Sequence, residues 1–335
     1  MYHYPAIKPK LSLGLEYWWA DSIETKPFKI WLMEHGTHVA GIIGGNGYSS
    51  RQKYVGVAPK SNILAIKALD RDGGGSTSKA IEAISYVIET KEKYNTKVIN
   101  LSIGTPANSI CENDPLCKAV NKAIEAGIVV VAAAGNSGPN RGTILSPGIN
   151  KNVITVGAVD DKRTIDTSDD TIASFSSRGP TLDGIQKPDL VAPGVSINSL
   201  SNTKFDSYVP LSGTSMATPL VSGTVALVLN KYPDLSPSEI KSRLLDSCID
   251  LEDIKEHQGA GMLNLRKLFG NEEFNNREDI RFEDKKNDTR YRRRVYYDKK
   301  VEDKNVLAAN NSSDSEFLET ALMILVILLL LDSRV

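Results

Sequence analysis

The stretch from Lys97 to Asp160 constrains the fold more than any other. It reads "KVINLSIG", then "DPLCKAVNKAIEAG", then "IVVVAAAGN", then "NVITVGAVD". The apolar runs carry no polar alternation, so strands built from them are expected to be buried on both faces, and the segment between the first two has the spacing of an amphipathic helix. The same unit occurs upstream, where "SNILAIKAL" (Ser61 to Leu69) runs into Gly73, Gly74 and Gly75 and then into "STSKAIEAISYVIETKEK". Strand, loop and helix in repetition imply a mostly parallel central sheet with helices on both faces, an α/β domain.

With 335 residues, 41% of them apolar and 24% charged, the chain can hold one large core plus appendages. Its net charge of −1 gives no general argument for nucleic acid or acidic membranes as partners. The N-terminus "MYHYPAIKPK" lacks the apolar core of a signal peptide, and Cys111, Cys117 and Cys248 make an odd count. Both point to a reduced, cytoplasmic location. Cys111 and Cys117 are close enough in "CENDPLC" to pair under oxidation, but no His or further Cys nearby completes a zinc set.

Three segments carry chemistry. In "HGTHVAG", His35 opens a helix and Gly36 and Gly41 allow close backbone approach, which leaves an imidazole at the helix start. Taken alone it reads equally well as a core or capping histidine. A metal pair of His35 and His38 is disfavoured, because the spacing is not that of HExxH. In "SGTSMATPLVSGTVALVLN", Ser215 stands just inside the N-terminus of an apolar helix, where backbone N–H groups point at whatever binds and would suit an oxyanion. Alone, it is a serine that caps a helix. In "VVVAAAGNSGP", a strand ends in small residues and then Asn136, a carboxamide donor at the edge where α/β sheets place their sites. By itself this is an ordinary turn.

Together, His35, Asn136 and Ser215, in the order HGTHVAG, AAGN and GTSMATP, resemble the subtilases, the subtilisin-like serine peptidases. The likeness runs from about His35 to Leu265 and is supported by "VGVAP", "NLSIG", "ITVGAVD", "FSSRGP", "KPDLVAPG" and "GAGMLNL". It is nearest to the intracellular bacterial subtilases that lack a signal peptide. The resemblance implies a subtilisin-like fold and a serine endopeptidase. Ser215 would be its nucleophile, His35 its general base, and Asn136 with the Ser215 N–H its oxyanion donors. Ser102, Ile103 and Gly104 match the strand against which such enzymes lay the substrate, with Ala133, Ala134 and Gly135 across the pocket. Polypeptide substrates follow, with no preferred side chain fixed. No cofactor is assigned; the resemblance makes calcium possible, as in secreted relatives, but no ligand set for it is assigned here.

One part of the pattern is missing. The family carries an Asp-(Ser/Thr)-Gly strand end before the histidine, and residues 1–34 contain only Asp21, in "WWADSIETKPF", without the glycine turn. The resemblance places that strand in the middle of the sheet. It also places Asp-x-x-Asn-Gly where "KIWLME" stands, as a compensated shift of reading frame would leave it. Two readings follow: a working endopeptidase whose true start lies upstream, or a catalytically impaired remnant that at most binds peptides. The expected organisation is a remnant of the N-terminal catalytic region at 1–34, a peptidase domain at 35–269, a charged, disordered tail at 270–316 and a short apolar segment at 317–335. Within the tail, "YRRRVYYDKK" is read as a solvated charge cluster rather than a nucleic-acid contact. The apolar segment suits either a weak peripheral membrane association or no selected role, since about 11 unbroken apolar residues are too few to span a bilayer.

Overall fold

A computed structural model describes residues 10–12, 15–20, 34–68, 76–203, 207–270 and 325–329. Asp21, "KIWLM", the charged cluster "YRRRVYYDKK" and most of the segments 1–34, 270–316 and 317–335 therefore lie outside the described residues.

The predicted units form where the pattern put them. "SNILAIKAL" gives β3 (Asn62–Lys67), after β1 (Lys10–Ser12), β2 (Leu15–Ala20) and the first helix α1 (Glu34–Gly44). Next comes α2 (Thr77–Tyr94), capped by the Ser76 side chain at one end and by Asn95 in a left-handed conformation at the other. β4 (Thr96–Leu101) leads to α3 (Pro115–Glu125), where Pro115 occupies the first turn and Asp114 accepts the Cys117 N–H at 2.8 Å. β5 (Val129–Ala133) and β6 (Ile154–Asp160) follow. A short β7 (Thr171–Ile172), β8 (Leu190–Pro193) and the hairpin of β9 (Ile197–Leu200) with β10 (Tyr208–Leu211) precede the long helix α4 (Thr214–Lys231). The remaining elements are α5 (Pro237–Asp246), β11 (Cys248–Ile249), α6 (Lys255–Gln258), β12 (Met262–Leu263), α7 (Leu265–Phe269) and β13 (Leu325–Leu329).

The main sheet runs β1-β2-β3-β13-β4-β5-β6-β8-β12-β11. Its heart is parallel: β4 pairs with β5, β5 with β6, and β6 with β8. β5 is buried at all five positions, which requires cover on both faces. α2 and α3 pack on each other, with α2 on β4 and α3 on β5, while α4 lies across β4, β5, β6 and β8 and packs on α1. Gly223 of α4 also leaves room for the segment that follows α1: a Cβ there would lie 2.7 Å from Val57 Cβ. Below the site, the fully buried Lys187 ties β6 to β8. Its Nζ donates to Asp189 at 2.6 Å, to Thr155 Oγ1 at 2.8 Å and to the Val153 carbonyl at 3.1 Å. Burial, which outweighs the attraction of Asp189, pushes its ammonium down to about 8.

The apolar segment near residue 325 takes a place that its composition did not announce. Leu325–Leu329 is a strand between β3 and β4, antiparallel to both. Among the described residues no helix is long and apolar enough to cross a membrane.

Candidate functional site

The site is built at the C-terminal edge of the parallel strands, where β4 and β5 end and α4 begins. Ser215 is the second residue of α4. The helix has Gly213 at its N-cap and no N-cap side-chain hydrogen bond, and among the described residues the Ser215 N–H of its first turn has no hydrogen-bond partner. The Ser215 side chain is half-buried, and its Oγ donates to the Ser102 carbonyl at 3.3 Å. Ser102 reciprocates: its buried hydroxyl donates to the Ser215 carbonyl at 3.0 Å and accepts from Asn100 Nδ2 at 3.0 Å. Ser222, two turns along α4, holds the other end of Asn100, with Oγ 2.8 Å from Oδ1. A chain of buried polar groups therefore pins the start of α4 to the end of β4. A polar Asn100 inside the apolar run "VINLSIG" is the trace it leaves in the sequence.

Asn136 follows β5 and is exposed, yet its carboxamide is oriented. Oδ1 accepts from the Thr214 N–H at 2.9 Å and from Thr214 Oγ1 at 3.0 Å, and Thr214 Oγ1 accepts from the Gly135 N–H at 3.3 Å. With the oxygen held twice, Nδ2 is turned toward the α4 terminus, and a Cβ on Gly213 would sit 3.3 Å from it. Glycine there keeps the space in front of the amide open. The oxygen and nitrogen of the carboxamide are thereby assigned by their partners. Sequence reading singled out Asn136 and missed Thr214, the residue that aims it.

The two backbone lines predicted to flank the substrate differ. Among the described residues, the N–H and C=O groups of Ile103 and Gly104 have no hydrogen-bond partner, which suits pairing with an added strand. Across from them, Ala134 donates to Val156 and accepts from Leu145, while Gly135 accepts from Ser177. Ala133, Ala134 and Gly135 thus form a wall whose backbone is already satisfied. Between the two lines stands Leu145, also missed from the sequence. A Cβ on Gly104 would lie 2.7 Å from Leu145 Cβ, and one on Gly135 would lie 2.6 Å from Leu145 Cγ. Gly135, at φ +111°, also holds a conformation that a side chain would strain.

His35 is the second residue of α1, and α1 packs on α4. Ser215 Oγ is bonded to Ser102 rather than to His35, and the His35 ring makes no hydrogen bond among the described residues; its Nδ1 is buried without a partner. Burial, and then the neighbouring His38, push its imidazolium down to about 4, so the ring is neutral at pH 7. His38 has a different task. Its Nε2 lies 2.9 Å from the Ile197 carbonyl and 3.0 Å from the Val209 carbonyl, which ties α1 to the β9–β10 hairpin. Among the described residues no three His, Cys, Asp or Glu side chains gather as metal ligands. Cys111, Cys117 and Cys248 are free thiols.

The description "Subtilase family" fits residues 5–271. Serine protease AprX of Bacillus subtilis (strain 168) is 43% identical over 248 residues, which cover 69% of this chain and 56% of that protein. The chain thus spans little more than half of that relative's length. Subtilisin DY of Bacillus licheniformis is 41% identical over 235 residues, 69% of this chain and 76% of its own. Among solved structures, Sphericase superposes with a TM-score of 0.59 at 31% identity, covering 70% of this chain and 78% of that one.

Proposed function

The chain belongs to the subtilase family, and on that premise we propose that it is a serine endopeptidase that cleaves polypeptides through an acyl-enzyme. The observation that carries the reading is the placement of Ser215 on the first turn of α4 beside an Asn136 amide oriented by Thr214. In the proposed cycle a peptide pairs with the free backbone of Ile103 and Gly104. Ser215 Oγ leaves the Ser102 carbonyl and attacks the scissile carbonyl carbon. His35, neutral at pH 7, takes the hydroxyl proton and returns it to the departing amine. The oxyanion is met by Asn136 Nδ2 and the Ser215 N–H, and water then repeats the sequence on the acyl-enzyme.

A fluorophosphonate probe tests the nucleophile directly. Wild-type chain is expected to be labelled and to cleave casein, and Ser215→Ala to lose both. Absence of labelling together with absence of cleavage would overturn the assignment. A second reading, a peptide binder without turnover, is favoured by the partnerless His35 ring and by the bond from Ser215 Oγ to Ser102. It expects casein-derived peptides to bind wild type and Ser215→Ala equally, with no labelling of either.

A further inference from the structure

Cys111 and Cys117 take no part in the proposed cycle, yet they are arranged as a pair. Cys111 lies in the connection between β4 and α3, and Cys117 is the third residue of α3. Asp114 fixes both. It donates its N–H to the Cys111 carbonyl at 3.2 Å and accepts the Cys117 N–H on Oδ1 at 2.8 Å, so the turn before α3 is folded onto the first turn of the helix. That reversal seats the half-buried Cys111 against the apolar cluster of Cys117, Ala134, Ile144 and Ile149. Both thiols are reduced in this structure.

The two thiols are unequal. The adjoining Cys117 thiol holds Cys111 below the usual thiol value, whereas Cys111, and then burial, push Cys117 up. Cys111 is also the one that reaches solvent, and exchange with a disulfide is carried by an accessible thiolate. Cys117 is released for reaction once Cys111 has been consumed, because the largest influence holding its proton is then gone. The third thiol is a bystander. Cys248 is buried, donates to the Leu244 carbonyl at 3.3 Å and is pushed up to about 12 by burial.

We propose that Cys111 and Cys117 form a dithiol modification site that a low-molecular-weight disulfide converts to an internal disulfide, with Cys111 as the attacking thiol and Cys117 as the resolving one. In the first step the Cys111 thiolate attacks one sulfur of the small disulfide. That S–S bond breaks, and the departing thiolate takes up the proton that Cys111 released. In the second step Cys117 loses its proton to water and attacks the Cys111 sulfur of the mixed disulfide, expelling the other small thiolate, which is protonated in turn. The chain gives up two hydrogens and two electrons, and one small disulfide becomes two thiols. The new bond fastens the connection that follows Ile103 and Gly104 to α3, beside the cluster that backs Ala134.

The test uses the folded, reduced full-length chain and oxidised glutathione, followed by acid quench, alkylation under denaturing conditions, trypsin and mass spectrometry. Both cysteines fall in one tryptic fragment, Val98–Lys118, so the internal bond is read within a single peptide. That fragment is expected to be lighter by two hydrogens and closed to alkylation while Cys248 stays open, so that free thiols fall from three to one. Cys117→Ser should stop at a glutathione adduct on Cys111, and Cys111→Ser should leave Cys117 and Cys248 unreacted over the same time. A wild-type chain that keeps all three thiols, that ends as a lasting glutathione adduct on Cys111, or that links either cysteine to Cys248 would overturn the site. An adduct on Cys117 in Cys111→Ser, formed as fast as the one on Cys111, would overturn the assigned order of attack. No readout depends on peptidase activity, so failure here leaves the proposed function untouched.

Discussion

The Ser215 side of the candidate site and the His35 side are built to different standards. Around Ser215, the Asn100–Ser102–Ser222 chain and the Thr214–Asn136 pair give nearly every polar side-chain group a partner, and those partners come from β4, β5 and α4, all deep in the sheet's parallel heart. Around His35, the helix is equally well packed, but among the described residues the ring has no hydrogen-bond partner to fix its tautomer or angle. Preorganised donors need no rearrangement at the moment of reaction, whereas an unoriented base does. The contrast locates the weakness of the proposed enzyme on α1.

The strongest way to break the contrast is to supply what α1 lacks. A chain extended upstream by a strand ending in Asp-Thr-Gly, with Lys29 to Glu34 replaced by Asp-Met-Val-Asn-Gly, gives Nδ1 of His35 a carboxylate acceptor. Removing that carboxylate from a subtilisin lowers kcat by about 3 × 10⁴, so casein hydrolysis is expected to rise by roughly that order. The added strand and β13 would compete for the middle of the sheet, so the gain should be larger in an extended chain that also carries Val326→Pro. Equal kcat in the original and extended chains would remove the histidine side as the limiting part.

The nucleophile side is probed by the amide. Asn136→Ala in the extended chain should lower kcat by about 10² to 10³ with little change in KM, the range found for such a donor in a subtilisin. Thr214→Val deletes one of the two bonds to Oδ1 but keeps the backbone one, so a loss of about tenfold is expected, in line with one hydrogen bond. Steady-state kinetics on a peptide anilide separates the two. An unchanged kcat in Asn136→Ala would mean that the well-partnered side is architecture rather than catalysis.

The comparison also has a pH signature. The His35 imidazole titrates near 4 in the fold against 6.5 when unperturbed, so between those values the unfolded chain binds the extra proton. Stability is therefore full above pH 6.5 and is lost as pH falls toward 4, by up to about 3 kcal/mol. Denaturant melts at pH 7, 5.5 and 4.5 should show the decline in wild type and a smaller one in His35→Gln. In the extended chain the new carboxylate favours the imidazolium, so the acid limb of kcat/KM should move up in pH. Identical melts for wild type and His35→Gln would refute the buried neutral ring.

Much of this was legible in the sequence, for physical reasons that also mark the boundary. Unalternated apolar runs such as "IVVVAAA" have no solvated face, so buried parallel strands follow from them directly. His35, Asn136 and Ser215 stand out as candidates in the sequence because each sits where a regular element starts or stops, beside glycines. Thr214 and Leu145 were not visible, because their roles depend on segments that meet only in space: Thr214 bridges β5 to α4, and Leu145 stands between two glycines that are 31 residues apart. β13 was missed for a different reason. An apolar run of that length has the same composition whether it rests on a lipid surface or closes a gap between two strands, and only the crossover β3–α2–β4 reveals the gap.

The smallest expected effect concerns Leu145, which belongs to neither side of the contrast but stands beside both lines of backbone proposed to face the substrate. Its side chain occupies the space that a Cβ on Gly104 or Gly135 would need, so it fills volume between the backbone of Ile103–Gly104, without hydrogen-bond partners among the described residues, and the saturated wall of Ala133–Gly135. A substrate side chain entering there meets a branched aliphatic floor. Leu145→Ala removes three carbons from it, and discrimination between side chains in an apolar pocket is about 1 to 3 kcal/mol for a methylene. Leu145 is half-buried rather than sealed in the core, so the fold should tolerate the change. The expected result, measured in the extended chain on a series of peptide anilides, is a shift of kcat/KM toward Phe and Tyr over Ala by about tenfold, carried in the ratio rather than in the best rate. Since Ser215 and Asn136 are untouched, fluorophosphonate labelling should be the same as in the parent. If the Phe-to-Ala ratio does not move, the space between Gly104 and Gly135 does not receive the substrate side chain, and the two backbone lines are not the walls of a pocket.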